Sequence, residues 1–205
     1  MSTDERLHQI AQDVSTCTAC KLHHSRKNAV PGEGPVHADL MFIGEGPGFH
    51  ENEQGRPFVG AAGKFLEELL GTIDLQREDV FIGNVVKCRP PGNRDPLPEE
   101  IEACSPYLKR QIEAIDPKVI ITLGRFSMAR YFPNAKISQI HGQAKEIDGR
   151  LIVPMYHPAA ALHQPSLRSV VKEDFAMLPR MIDSGASAST PVEPENTDPE
   201  QLSLF

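Results

Sequence analysis

The run Val119-Ile120-Ile121-Thr122-Leu123 has almost no polar alternation. A strand that faces water on one side alternates, so a run like this is buried on both faces and needs helices above and below a parallel sheet. Three other stretches read as strands: Leu40-Met41-Phe42-Ile43, residues 80–86, and Leu151-Ile152-Val153-Pro154-Met155-Tyr156, the last fed by a strand-and-turn segment at 144–150. Helical patterns lie between them at 3–14, 63–70, 98–115, 125–131 and 167–182. Leu7, Ile10, Ala11 and Val14 repeat with a helical period. Pro98, followed by Glu99 and Glu100, is a helix start. This alternation predicts an α/β fold, a three-layer α/β/α sandwich around a central, mainly parallel four-stranded sheet.

The chemistry gathers at the strand ends. The first strand runs into Gly44-Glu45-Gly46-Pro47-Gly48, a glycine-permitted turn with one carboxylate, and Gly55-Arg56-Pro57-Phe58-Val59-Gly60 follows ahead of a helix. Glycines let a ligand approach the backbone closely, so this reads as the rim of a pocket. It is not a dinucleotide fingerprint: G-x-G-x-x-G is not matched, Pro47 intervenes, and no helix is expected to begin there. Asn84 closes the second strand, and His157 the last.

At 205 residues the expectation is one domain, residues 1–183. It is followed by an acidic Ser-, Ala- and Pro-rich linker over 184–200, which cannot bury enough surface to fold, and a short terminal peptide, 201–205. No signal peptide opens the chain and no apolar run reaches membrane-spanning length, so a cytoplasmic monomer without a membrane partner is expected. The net charge of −7 argues against a generally basic nucleic-acid surface. Contact with phosphate would fall to a local patch drawn from Lys87, Arg89, Arg94, Arg125, Arg168 and Lys172.

All four cysteines enter one pattern: C-x2-C at Cys17 and Cys20, then Cys88, then Cys104. Disulfides are disfavoured in a cytosolic protein, and four thiolates with none left over indicate a metal site. Zinc and an iron–sulfur cluster both accept four thiolates, and spacing alone does not choose between them.

Together, G-E-G-P-G at 44–48, G-R-P-F-V-G-x-A-G at 55–63, G-N-V-V-K-C-R-P-P at 83–91 and H-P-A-A at 157–160 resemble the family-4, iron–sulfur uracil-DNA glycosylases. The resemblance runs from Cys17 to the last helix. It implies the uracil-DNA glycosylase fold, excision of uracil from single- and double-stranded DNA, and a structural [4Fe–4S] cluster on Cys17, Cys20, Cys88 and Cys104, with zinc as the alternative. By the same resemblance, Gly44, Gly46 and Phe58 contact the flipped base, Asn84 reads it, Glu51 excludes thymine's methyl group, and Glu45 and His157 are catalytic. These side chains have the chemistry that uracil excision requires. An amide accepts from uracil N3–H and donates to O4, His157 bonds O2 as charge develops, and a carboxylate faces the sugar.

The acidic run usual after the first motif is replaced here by Phe49-His50-Glu51-Asn52-Glu53, and the 89–96 loop lacks the histidine of relatives that cross-link to DNA. A water-using, monofunctional enzyme is therefore expected. The alternatives are a non-catalytic clamp-associated module with a structural metal, or an enzyme of broader base range. The 158–166 segment resembles the loop that enters DNA, with Leu162 as wedge and Arg89, Arg94 and Arg168 on phosphates. Gln201-Leu202-Ser203-Leu204-Phe205 resembles the bacterial sliding-clamp peptide, with Gln201, Leu202, Leu204 and Phe205 as its binding residues.

Overall fold

The computed structural model describes residues 1–183; the predicted linker 184–200 and clamp peptide 201–205 lie outside the described residues. Five strands form one sheet: β1 (Leu40–Gly44), β2 (Phe81–Asn84), β3 (Val119–Leu123), β4 (Lys145–Ile147) and β5 (Arg150–Met155), in the order β2-β1-β3-β5-β4. The four predicted strands are mutually parallel where they pair. The fifth, β4, is a short antiparallel edge strand that forms a hairpin with β5. The helices are α1 (Thr3–Thr16), α2 (Phe49–Gln54), α3 (Ala61–Gly71), α4 (Pro98–Ile115), α5 (Arg125–Ala129), α6 (Ile137–Ile140), α7 (Pro158–His163) and α8 (Leu167–Asp183).

The near-continuous apolar runs fill both faces of the sheet. Phe42, Ile121 and Val153 pack with Leu66 of α3 and Phe175 of α8 on one side, whereas Met41, Ile43, Ile120 and Ile152 pack with Leu108 and Ile112 of α4 on the other. Side chains that alternate across a strand thereby enter two separate cores, each worth about 1.5–3 kcal/mol per large apolar side chain fully buried. Helix α1 lies outside α4, capped at Ser2, whose hydroxyl accepts from Glu5 N–H. None of the described helices is long and apolar enough to cross a membrane.

Two helices occupy stretches expected to be irregular. Gly48 is the N-cap of α2, so a helix does begin just after the glycine turn. The 158–166 stretch, expected as a loop, opens with α7: Pro158 takes its first position, His157 caps it, and three alanines carry it forward.

Candidate active site

The parallel register brings the strand ends to one rim. Gly44 sits opposite Asn84 in the β1–β2 pairing, and beyond β3 the Gly124 N–H donates to the Met155 carbonyl at 2.8 Å. A single pocket opens there, walled by Glu45, Gly46, Gly48, Glu51, Phe58, Asn84 and His157, with Arg94 at its margin. Residues separated by more than a hundred positions are thus convened by the topology.

Asn84 is 1% exposed, and its Oδ1 has no hydrogen-bond partner. A buried acceptor without a donor is costly and rare, and this one stands on the pocket wall. Gly44 lies beneath it: a Cβ there would come within 2.5 Å of Asn84 Oδ1 and 2.7 Å of the Phe58 ring. The absence of a Cβ lets the Asn84 amide and the Phe58 ring close on the strand end, with no room between them for even one more carbon.

The Phe58 ring stacks on His157, with centroids 5.4 Å apart and planes 26° from parallel. His157 Nδ1 accepts from Ala159 N–H at 3.1 Å. The neutral ring therefore carries its proton on Nε2, as a donor. Burial pulls the His157 pKa down from 6.5 to about 4, against the opposing charge of Glu51. Glu45 is half-buried, and its pKa is raised by burial and then by Asp95, with Arg125 opposing. A carboxylate shifted in this direction is a better proton acceptor than one in open water.

Glu51 lines the pocket and is also a clasp. Its Oε1 accepts from Val59 and Gly60 N–H at 2.9 and 2.8 Å, and its Oε2 from Gly48 N–H at 3.1 Å. Pro90, Asn93 and His163 also line the pocket, without a role assigned from sequence. Arg77 and Glu33 carry no signal in the sequence either; they reach the Phe58 segment from outside.

The expected phosphate contacts are distributed unevenly. Leu162 is 39% exposed on α7, beside His163 at the pocket, and so belongs to a helix rather than a loop. Arg89 stacks over the Phe49 ring at 5.3 Å and donates to Asn93 Oδ1 at 2.7 Å. Arg94 is held in a two-pronged pair by buried Glu100, at 2.9 and 2.7 Å. Arg168 shares Glu68 with Lys172 and packs on Phe65, away from the pocket walls. Arg125 is paired with Asp95. Lys87 leaves the expected patch altogether: it is 1% exposed and its Nζ donates to Gln111 Oε1 at 2.7 Å.

All four cysteines line a second cavity, between the α1 end, the 17–26 segment, the end of β2 and α4. Among the described residues no three His, Cys, Asp or Glu side chains converge on a point where one ion would sit. N–H donors aim at three of the sulfurs: Ala19 at Cys17 Sγ (3.4 Å), Arg26 at Cys88 Sγ (3.3 Å) and Lys87 at Cys104 Sγ (3.2 Å). Such donors stabilise anionic sulfur, so the residues present fit a thiolate-bound group.

The profile of the Uracil DNA glycosylase superfamily matches residues 31–177. The chain is 50% identical over 184 residues to a type-4 uracil-DNA glycosylase of Sulfurisphaera tokodaii, covering 83% of this chain and 82% of that one. It is 52% identical over 191 residues to that of Saccharolobus solfataricus, 88% of each, and 46% identical over 181 residues to that of Thermotoga maritima, 85% of this chain and 94% of that one. The chain belongs to the uracil DNA glycosylase superfamily. Within it, its place is among the type-4 proteins.

Proposed function

We propose that this protein is a monofunctional uracil-DNA glycosylase of base excision repair, hydrolysing the bond between uracil and deoxyribose to leave an abasic site. The observation that carries the reading is the unpartnered buried Oδ1 of Asn84 on the wall of the pocket. A flipped uracil offers N3–H to that oxygen, and its O4 accepts from the same amide. Cytosine presents the reverse pattern and would leave both polar groups unpaired.

With the base seated on Phe58, His157 Nε2–H donates to O2. As the glycosidic bond breaks, the electron pair goes to the uracil ring, and a neutral, pre-aimed donor stabilises that anion at little reorganisation cost. A backbone N–H near Gly46 supports the base, that of Gly48 being held by Glu51. Glu45 faces the sugar, where its carboxylate stabilises the electron-poor carbon and accepts the proton of the attacking water. Glu51 adds bulk on the side where thymine carries its methyl group.

Cys17, Cys20, Cys88 and Cys104 would hold a [4Fe–4S] cluster, whose contribution is structural. All four thiols face one cavity with N–H donors on three of the sulfurs, a setting that supports a thiolate-bound cluster, with zinc as the alternative. DNA contacts fall to Leu162 as wedge and to Arg89, Arg94 and Arg168. The 201–205 peptide engages a sliding clamp, and the protein acts as a cytoplasmic monomer.

Single- and double-stranded oligonucleotides with one uracil, followed by alkaline cleavage, test the activity. Strand breaks at the uracil are expected, and their absence from both substrates overturns the assignment.

A further inference from the structure

The segment Gly32-Glu33-Gly34-Pro35, legible in sequence only as a loop, lies along the outer edge of β2. Glu33 N–H donates to the Ile82 carbonyl at 3.0 Å, and Ile82 N–H returns to the Glu33 carbonyl at 2.8 Å. The flanking glycines allow this approach: both have positive φ, +117° and +145°, and a Cβ on Gly34 would stand 2.4 Å from the Val80 carbonyl oxygen. Pinned in this way, the Glu33 carboxylate receives Arg56 at 2.8 and 2.9 Å and Arg77 Nε at 2.7 Å.

Arg77 is largely buried, and its other end is committed to the Phe58 segment. Its Nη1 donates to the Phe58 carbonyl at 2.8 Å, and its Nη2 donates to the Pro57 carbonyl. From the opposite side Glu51 holds the N–H groups of Val59 and Gly60. Beneath the segment runs Gly63, where a Cβ would be 1.8 Å from the Phe58 carbonyl oxygen. The clasped residue is itself strained: Phe58 has φ +50°, a conformation a bulky side chain keeps only when its surroundings over-determine it.

Building on the glycosylase reading above, we infer that Glu33 and Arg77 are a positioning pair that holds Phe58 left-handed, so that its ring presents the stacking face for the flipped base. Neither residue touches the base. Both act through two peptide carbonyls, and the planar fork of arginine is needed to hold them together.

The test uses full-length Glu33→Gln and Arg77→Lys, alone and combined with Phe58→Ala, with affinity for free uracil read by calorimetry or ligand-observed NMR. Each single variant is expected to lose about tenfold or more in uracil affinity, the worth of a charge-assisted hydrogen bond, while affinity for abasic-site DNA is unchanged. In the Phe58→Ala background the further loss should vanish, because pair and ring act as a unit. Wild-type uracil affinity in both variants overturns the pair. So does a loss of uracil and abasic-site affinity together, or a loss that persists without the Phe58 ring. Uracil binding is measured without turnover, so a wild-type protein that excises nothing would refute the proposed activity while the binding comparison still decides the pair.

Discussion

The rings of Phe58 and His157 lie 5.4 Å apart and 26° from parallel. One contact therefore serves two ends. It covers one face of an imidazole that burial keeps neutral, and it joins the stacking face to the hydrogen-bonding wall. A flat base bound on one is automatically in register with the other.

Asn84→Asp should narrow the preference for uracil over cytosine, because the paired donor and acceptor of the amide are lost. The ratio of kcat/KM on matched uracil and cytosine oligonucleotides measures this. Asn84→Ala should lower kcat/KM on uracil by about a hundredfold. Unaltered values in both would remove Asn84 from base reading.

The pH profile separates the two catalytic candidates. His157, lowered to about 4 from 6.5, stays neutral at neutral pH, whereas Glu45, raised above 4.5 by burial, protonates first as pH falls. The acid limb of kcat/KM should therefore follow Glu45 and disappear from the residual activity of Glu45→Gln. Stability has its own signs. Between pH 6.5 and about 4 the unfolded chain binds the His157 proton more readily, so that contribution is lost as pH falls through this window. Glu45 acts oppositely: the folded state binds its proton more readily, so its contribution is lost as pH rises through the raised pKa. NMR titration of the histidines checks the first point, and an imidazole of His157 that titrates near 6.5 would refute it.

Gly44→Ala pushes a Cβ to 2.5 Å from Asn84 Oδ1 and 2.7 Å from the Phe58 ring, so the two residues that read and stack the base must shift. Gly44 is not among the positive-φ glycines, so the backbone accepts alanine. Excision should fall by about a hundredfold, and overpacking by about 1–3 kcal/mol should lower the melting temperature by about 2–12 °C. Normal turnover would show that the base binds elsewhere.

Aerobically purified protein should be brown and yield iron and acid-labile sulfide, and Cys104→Ser should bleach it and lower its melting temperature. A colourless wild-type protein containing zinc would choose the other metal.

Removal of residues 201–205 should abolish capture by a sliding clamp and leave oligonucleotide excision intact. Equal capture of the truncated and full chains would refute the peptide's role.

Much of this framework could be read from residue order. The strands announce themselves because burial on both faces removes polar alternation, and Asn84 and His157 stand out as polar residues closing apolar runs. Helix α7 has a local signature too, in Pro158 followed by three alanines. Other features have no local signature. Lys87 looks like any surface cation until Gln111 of α4, 24 positions on, supplies its partner. Arg77 and Glu33 are separated along the chain both from each other and from Phe58, and only the folded sheet brings the three together. Phe49-His50-Glu51 could not be assigned by analogy; the backbone bonds of Glu51 show why a carboxylate is held at that position.

The loop that anchors Arg77 has one more effect. Strand β2 is the outermost on its side of the sheet, and an uncovered edge invites another chain to add a strand. Gly32-Glu33-Gly34 lies along that margin and takes up the N–H and carbonyl of Ile82. The same three residues that bear on the pocket therefore also occupy the outward pairing groups of β2 at Ile82, which another strand would need.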